Sequence, residues 1–336
     1  VVDRALKSAE RVLINDTAAG EIDPTMSMIS NNIRSAMCVP IQYHQQVHGV
    51  IYGDRVTSVG KYTKEDADFF AALGQLAAMG LSNIKLVEEM RNRQRVEHDL
   101  HIAREIQSKL LPVEPFSDSG ITIDALNDAS QAISGDYFDY FLRPDGLITL
   151  VIADVSGKGT PASLLMANLQ AAVHVTLVSL TDLAAAVNSL NQLVCRNVGS
   201  GRFITGIFGL LDPNARKLTY VNAGHLAPYL LRPSGFEKVQ MEPSLPLGVD
   251  CDFPYEIGTL DLSPAPVTLL TFTDGIPDAE NEQGESFGPQ RLEDSLKANL
   301  DQPPGELVAR IRRSIKQFTR NQPQTDDITL LAIQLA

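Results

Sequence analysis

The order of apolar and polar positions divides this chain into two differently patterned parts. In the first, AMCVPIQ (36–42) and VHGVIYGD (47–54) are strand-like runs parted by the polar turn YHQQ, which predicts two paired strands. Thr63 is placed to cap a helix, with Glu65 and Asp66 as acids in its first turn. Phe69, Phe70, Leu73, Leu76 and Ala77 would form the apolar face of that helix. The helical pattern runs on from Leu81 to Leu111 without Gly or Pro, and Pro112 and Pro115 stop it. Within it Val96, Leu100, Ala103, Gln107 and Leu110 follow a 4-3-4-3 spacing, a coiled-coil-like seam with one polar member. Such a helix either packs on its own domain or, lying long and charged between two domains, is a linker that pairs two copies of the chain.

The second part is patterned mainly as strands. ITIDALND, GLITLVIADV, FITGIFGLL, KLTYVNAG, PYLLRP, VTLLTFTD and DITLLAIQL are apolar runs set around helical stretches near 161–179 and 182–197. Short connections such as DPNARK imply antiparallel pairing. One or two sheets with helices outside would bury such strands, an α+β arrangement. The boundaries this suggests are a small α/β unit at 1–85, a helical linker at 86–112 and a larger unit at 118–336.

Composition narrows the function. A chain of 336 residues with 44% hydrophobic and 21% charged residues is that of an ordinary globular protein with two or three domains. A formal net charge of -13 argues against nucleic-acid binding and against docking on an anionic membrane. Cys38, Cys195 and Cys251 are odd in number, far apart and without CxxC spacing. They predict neither a disulfide framework nor a zinc site, and point to a reducing, cytoplasmic setting. No apolar run approaches the roughly 20 residues of a membrane span, and the N-terminus carries no secretory signal.

The candidate chemistry lies where strands meet acids. Ile148–Ala153 leads into Asp154, Val267–Thr273 leads into Asp274, and Asp326 with Asp327 immediately precedes Ile328–Leu335. Asp136 and Asp139 in SGDYFDY stand just before the hairpin that feeds the first of these strands. A lone acid at a strand end is ordinarily a turn-former or helix cap. Several acids, each abutting a strongly apolar strand, can be gathered by a sheet into one cluster that repels itself unless cations neutralise it. Carboxylates without His or Cys select hard cations, Mg²⁺ or Mn²⁺, and two such ions can activate a water for in-line attack on phosphorus.

Other readings fit less well. Gly157-Lys158-Gly159 suggests a phosphate loop, but the spacing G-x-x-x-x-G-K-[ST] fails: Ile152 stands where the first Gly belongs and Gly159 follows the lysine. Lys158 is then a surface charge or a contact to an acidic phosphoprotein. Thr160 is placed to cap the helix beginning near Pro161. His225 in NAGH has no identifiable partner and reads as a structural histidine. GxSxG is absent.

At this point the motifs become recognisable. SGDYFDYFLRPDGLITLVIADVSGKGTPASLLMANLQ, NAGHLAP, PLGV, TFTDGIPDAEN, ESFG and DDITLLAIQL, in that order after AREIQSKLLP, resemble the SpoIIE/RsbU branch of the metal-dependent (PPM) serine/threonine protein phosphatases. The resemblance spans about residues 103–336. It implies a sandwich of two antiparallel sheets flanked by helices, and hydrolysis of phosphoserine or phosphothreonine on proteins with two Mn²⁺ or Mg²⁺ ions and no phosphoenzyme. Carried over by motif, Asp154 bridges both ions with the Val155 carbonyl as a further ligand, Asp274 and Asp326 hold one ion, and Asp136 lies near the other. Asp154 and Asp274 are the catalytic candidates. Ser134 stands where the branch more often has Gly, and no arginine stands where the wider family often binds phosphate. The substrate implied is a phosphorylated STAS-domain anti-sigma-factor antagonist; a non-catalytic scaffold is the alternative. Residues 1–85, through SAMCVPI and VHGVIYGD, resemble the C-terminal part of a GAF sensor domain, so that sensor is expected to be incomplete at its N-terminus.

Overall fold

A computed structural model describes residues 1–14, 31–43, 46–56, 60–180, 182–197, 201–242, 244–320 and 322–336. The chain resolves into two compact units, Val1–His98 and Asp99–Ala336. Residues 44–45 of the expected YHQQ turn lie outside the described residues.

In the first unit, α1 (Val2–Ser8) precedes an antiparallel sheet in the order β1 (Val12–Ile14), β2 (Ser35–Tyr43), β3 (Gln46–Arg55). The central strand β2 is buried on both faces. Ala36 and Cys38 pack with Ala5, Val12, Ile14 and Ile33, whereas Met37 and Val39 pack with Ala67, Phe70 and Ala71 of the following helix, α2 (Lys64–Ser108). Burial raises the Cys38 thiol pKa and leaves it a core residue. The predicted cap of α2 is a reciprocal one: the Asp66 N–H donates to Thr63 Oγ1 (3.1 Å) and the Thr63 N–H donates to Asp66 Oδ2 (2.8 Å). Phe69, Leu76, Ile84, Val87 and Met90 are exposed along α2.

The second unit is a four-layer sandwich. One five-stranded sheet has the order β12-β9-β8-β7-β6 and one six-stranded sheet has the order β11-β10-β13-β14-β5-β4, every pair antiparallel. The strands are β4 (Phe116–Asp118), β5 (Ile121–Asp128), β6 (Tyr137–Leu142), β7 (Ile148–Val155), β8 (Ile204–Asp212), β9 (Lys217–Ala223), β10 (Tyr229–Arg232), β11 (Gly235–Lys238), β12 (Gly258–Asp261), β13 (Val267–Phe272) and β14 (Ile328–Leu335). Period-2 alternation divides each central strand between two cores. Ile148, Leu150 and Ile152 of β7 face the other sheet, with Leu269 of β13 and Leu331 and Ile333 of β14. Val151, Ala153 and Val155 face α3 (Thr160–Ser179) and α4 (Leu183–Asn197). On the far side, Leu270, Phe272, Leu330 and Ala332 face α5 (Gly288–Lys297) and α6 (Pro304–Thr319).

Several expectations are revised. Helices α5 and α6 were not anticipated; Leu307, Val308, Ile311 and Ile315 give α6 a clear amphipathic stripe. Gly159, not Thr160, is the N-cap of α3. Cys195, at the end of α4, and Cys251 form a disulfide with Cα atoms 5.8 Å apart, against the expectation of no disulfide. Their 56-residue separation hides this neighbourhood, and the tertiary fold creates it. Lys64–Ser108 and Thr160–Ser179 are both long and apolar enough to cross a membrane by length and composition, contrary to expectation. The second of these is α3, whose Met166, Leu169, Val173 and Leu177 are fully buried in the protein core.

Candidate metal centre

Strand parity gathers the candidate acids at one end of the inter-sheet core. Counting back from Leu331 and Ile333 along β14, Thr329 and Asp327 point between the sheets. The same count places Thr273 beyond Leu269, Asp154 beyond Ile152, and Asp136 before Phe138 and Tyr140 on that interior side. The apolar core thus ends in a polar rim.

Asp136 is 1% exposed, and its Oδ2 accepts hydrogen bonds from Thr273 Oγ1 (2.8 Å) and Thr329 Oγ1 (2.6 Å). Burial and the neighbouring Asp154 nevertheless hold its pKa well above the carboxylate range. Asp154 is pushed up to about 7, by burial first and then by Asp274 and Asp326. Asp274 is raised by burial, Asp326 and Asp278, with Lys158 acting in the opposite direction. Each acid appears among the causes acting on its neighbours, so these groups form one electrostatic cluster.

The two adjacent acids before β14 part company. Asp327 is buried and its carboxylate is saturated. Oδ1 accepts from the Ser130 N–H (2.7 Å) and Oγ (2.8 Å), and Oδ2 accepts from Ser134 Oγ (2.9 Å) and the Gly135 N–H (2.6 Å). It organises the loop that carries Asp136. Asp326 points outward, 38% exposed, with Oδ2 3.0 Å from Lys158 Nζ. Lys158 also donates to the Thr325 carbonyl, so it is not the free surface charge that its loop suggested. Gly157, at φ 94°, adopts the turn that swings this lysine back across the site. Gly275 is required by close approach: a Cβ there would lie 1.9 Å from the Asp327 carbonyl oxygen. The Val155 carbonyl faces Gly135, next to Asp136.

Among the described residues no three of His, Cys, Asp and Glu converge closely enough, as arranged, to ligate one ion. The carboxylates are engaged by other partners: Asp136 is drawn to two threonines, Asp326 to Lys158 and Asp327 to its serine loop. The donor set still fits hard divalent cations. It is all oxygen, anionic and self-repelling, the chemistry that hard divalent cations select.

Residues that sequence reasoning passed over supply the support. Thr273 and Thr329 hold Asp136, and Asn127 Nδ2 donates to Thr329 Oγ1 (2.9 Å). Ser134, in place of a more frequent Gly, adds a hydroxyl that donates to Asp327 and accepts from the Asp136 N–H (3.1 Å). The polar seam residue Gln107 is engaged within its own unit: Oε1 accepts from the Ser134 N–H (2.9 Å) and Nε2 donates to the Ser134 carbonyl (2.7 Å). The available signal was the run of small hydroxyl residues abutting the acids. Asp139 stays outside the cluster, bonded to Tyr137 and His174 on the helix-facing side. His225 is bonded on one side only: Nδ1 lies 2.9 Å from Thr205 Oγ1, Nε2 is buried without a hydrogen-bond partner among the described residues, and burial lowers its pKa to about 4.

This architecture is that of a PP2C-type phosphatase domain. The solved SiaA-PP2C domain of Pseudomonas aeruginosa overlays 73% of this chain and 99% of its own at a TM-score of 0.62, with 22% identity. A structure of the RsbU and RsbW domains of a Mycobacterium tuberculosis protein covers 67% of this chain and 61% of its own at a TM-score of 0.56, with 24% identity. The Stage II sporulation protein E (SpoIIE) profile matches residues 144–336, and a GAF domain profile matches residues 1–82. The chain belongs to the SpoIIE family, whose members are metal-dependent serine phosphatases. It is 26% identical over 262 residues to Protein IcfG of Synechocystis sp., spanning 70% of this chain and 41% of that protein. It is 26% identical over 243 residues to the phosphoserine phosphatase RsbU of Bacillus subtilis, spanning 72% of this chain and 71% of RsbU.

Proposed function

We propose that this chain hydrolyses phosphoserine or phosphothreonine on a regulatory protein, with two Mn²⁺ or Mg²⁺ ions held by Asp136, Asp154, Asp274, Asp326 and the Val155 carbonyl. The observation that carries this reading is the gathering of Asp136, Asp154, Asp274 and Asp326 at one end of the inter-sheet core of a PP2C-type sandwich, where burial raises the pKa values of the first three. Such a cluster is poised to exchange protons for cations. When bound, the ions supply charge neutralisation and acidify water for in-line attack at phosphorus. The protein's part is placement. Thr273 and Thr329 orient Asp136, Asp327 ties the Ser130–Gly135 loop to β14, and Lys158 steers Asp326. Water and phosphoserine give serine and inorganic phosphate.

The substrate we infer is a phosphorylated STAS-domain-like anti-sigma-factor antagonist. Supporting this are the likeness to RsbU and the pairing of RsbU and RsbW domains in one mycobacterial protein. We further infer a cytoplasmic homodimer joined through the linker part of α2, where Val87, Met90, Val96, Ile102 and Ile106 are exposed, with the GAF-like unit as sensor. The domain reading of 1–85, 86–112 and 118–336 belongs to the same proposal. The test is Mn²⁺-dependent hydrolysis of a phosphoserine peptide and of p-nitrophenyl phosphate, beside Asp154→Ala and Asp274→Ala. Metal-independent turnover, or turnover unaffected in both variants, refutes the mechanism. A folded, Mn²⁺-supplied protein without activity on either substrate would favour the scaffold.

A further inference from the structure

Beside the acid cluster lies a cavity of about 230 Å³ with the opposite electrostatic character. One wall is α6. Its apolar stripe is buried, Arg312 and Lys316 stand one turn apart along the cavity, and Arg320, just past the end of the helix at φ 53°, lines it too. Opposite them lie Gln324 and Thr325, the two residues preceding Asp326. Gln324 Nε2 donates to the Asp326 carbonyl (2.7 Å), and the Thr325 carbonyl accepts from Lys158. The cavity wall and the acid site are therefore two sides of one short segment.

The cations are unequally engaged. Arg312 grips Asp128 with two hydrogen bonds, Nε to Oδ2 (2.6 Å) and Nη2 to Oδ1 (2.8 Å). This neutralises the first of the two acids lining the cavity. The second, Glu280, is exposed. Lys316 and Arg320 are exposed and form no ion pair among the described residues. In a chain of net charge -13, two unpaired cations lining a cavity that shares the Gln324–Thr325 segment with the acid site form a local attractive field for an anion.

We propose that this cavity is a substrate subsite that takes an acidic side chain close to the phosphoserine of the phosphoprotein, with Lys316 and Arg320 as its carboxylate partners. The proposal rests on the phosphatase reading above and names the class of sequence that the site prefers. Because the cavity wall continues through Thr325 into Asp326, the residue it takes is a Glu or Asp a few positions from the phosphoserine, at about 3.3 Å per residue of extended backbone.

The experiment compares two phosphoserine peptides, one flanked by glutamates and one by lysines, with p-nitrophenyl phosphate, which has no flanking residues. The 336-residue chain is assayed with saturating Mn²⁺ as wild type, as Lys316→Glu/Arg320→Glu and as the milder Lys316→Gln/Arg320→Gln. The wild type is expected to favour the acidic peptide by about tenfold in kcat/KM, through KM, with a preference that weakens as salt rises. Charge reversal is expected to erase or invert that preference while turnover of p-nitrophenyl phosphate stays unchanged; the Gln pair should fall between. Equal use of the two peptides by wild type, or an acidic preference intact in both variants, would mean the cations are only a solvated helix face. Loss of p-nitrophenyl phosphate turnover in wild type would sink the phosphatase reading itself, and with it this subsite.

Discussion

Asp136 and Asp139 stand three residues apart and are both almost wholly buried, at 1% and 3% exposure, yet they live in opposite surroundings. Asp139 faces the helices, where the Tyr137 hydroxyl donates to its Oδ2 (2.7 Å) and His174 Nε2 lies 2.7 Å from the same oxygen. His174 is itself stacked on Phe141 with ring centroids 4.7 Å apart. Asp136 faces the inter-sheet end, where two threonine hydroxyls help it while Asp154 and Asp327 repel it. Asp139 has its own hydrogen-bond partners; Asp136 stands among other carboxylates. A buried acid with its own partners stabilises a fold, and a buried acid among like charges marks a place where cations are wanted.

The largest test of that contrast is catalytic. Asp154→Asn should reduce Mn²⁺-dependent turnover by on the order of a thousandfold, the scale of losing a preorganised charge-stabilising group. Asp139→Asn should leave kcat unchanged; steady-state assays of the two variants side by side decide it. If both lose activity equally, the division drawn here between the two faces of the sheet fails.

Next in size is the pH response of the metal-free protein. Asp154 has a folded-state pKa raised from 3.8 to about 7, so the folded state holds its proton more tightly than the unfolded state does. The sign follows: this stabilisation is present below the ordinary carboxylate pKa and is lost as pH rises toward 7. The melting temperature of chelator-treated protein should fall between pH 5 and pH 8. Saturating Mn²⁺ should reverse the trend, and Asp154→Asn should flatten it. A metal-free melting curve that rises with pH would contradict the clustering.

Smaller effects belong to the supporting groups. Asp139→Ala strands the buried Tyr137 hydroxyl and should cost about 1–3 kcal/mol in urea unfolding, with Mn²⁺ affinity untouched. Thr329→Val removes one donor to Asp136 and should cost about 1 kcal/mol. It should also raise the Asp136 pKa further and weaken Mn²⁺ binding, measured by calorimetry. A Thr329→Val protein with wild-type Mn²⁺ affinity would show that the hydroxyl serves packing alone.

Much of the scaffold can be traced to pattern. Apolar runs mark β5, β7, β8, β9, β10, β13 and β14 because these strands are buried in the sandwich, whereas β6 was not anticipated as a strand, and Asp154 and Asp274 end two of those runs. Helices α5 and α6 were passed over although both carry a proline in the first turn and α6 an amphipathic stripe; neither begins with a side-chain cap, the signal that marked α2. The roles of Asp326 and Asp327 were likewise hidden. Adjacent residues on a strand point to opposite faces, and which face is interior depends on the partner sheet.

What the sequence by itself determined is therefore the alternation, the acids at strand ends and the order of motifs, all properties of local spacing. Only the tertiary structure decided that Asp327 organises a loop while Asp326 meets Lys158, that Gln107 serves Ser134, and that Cys195 reaches Cys251. These relations join residues tens to hundreds of positions apart. Their energies come from burial and distance in space, quantities that the linear spacing of a chain does not contain.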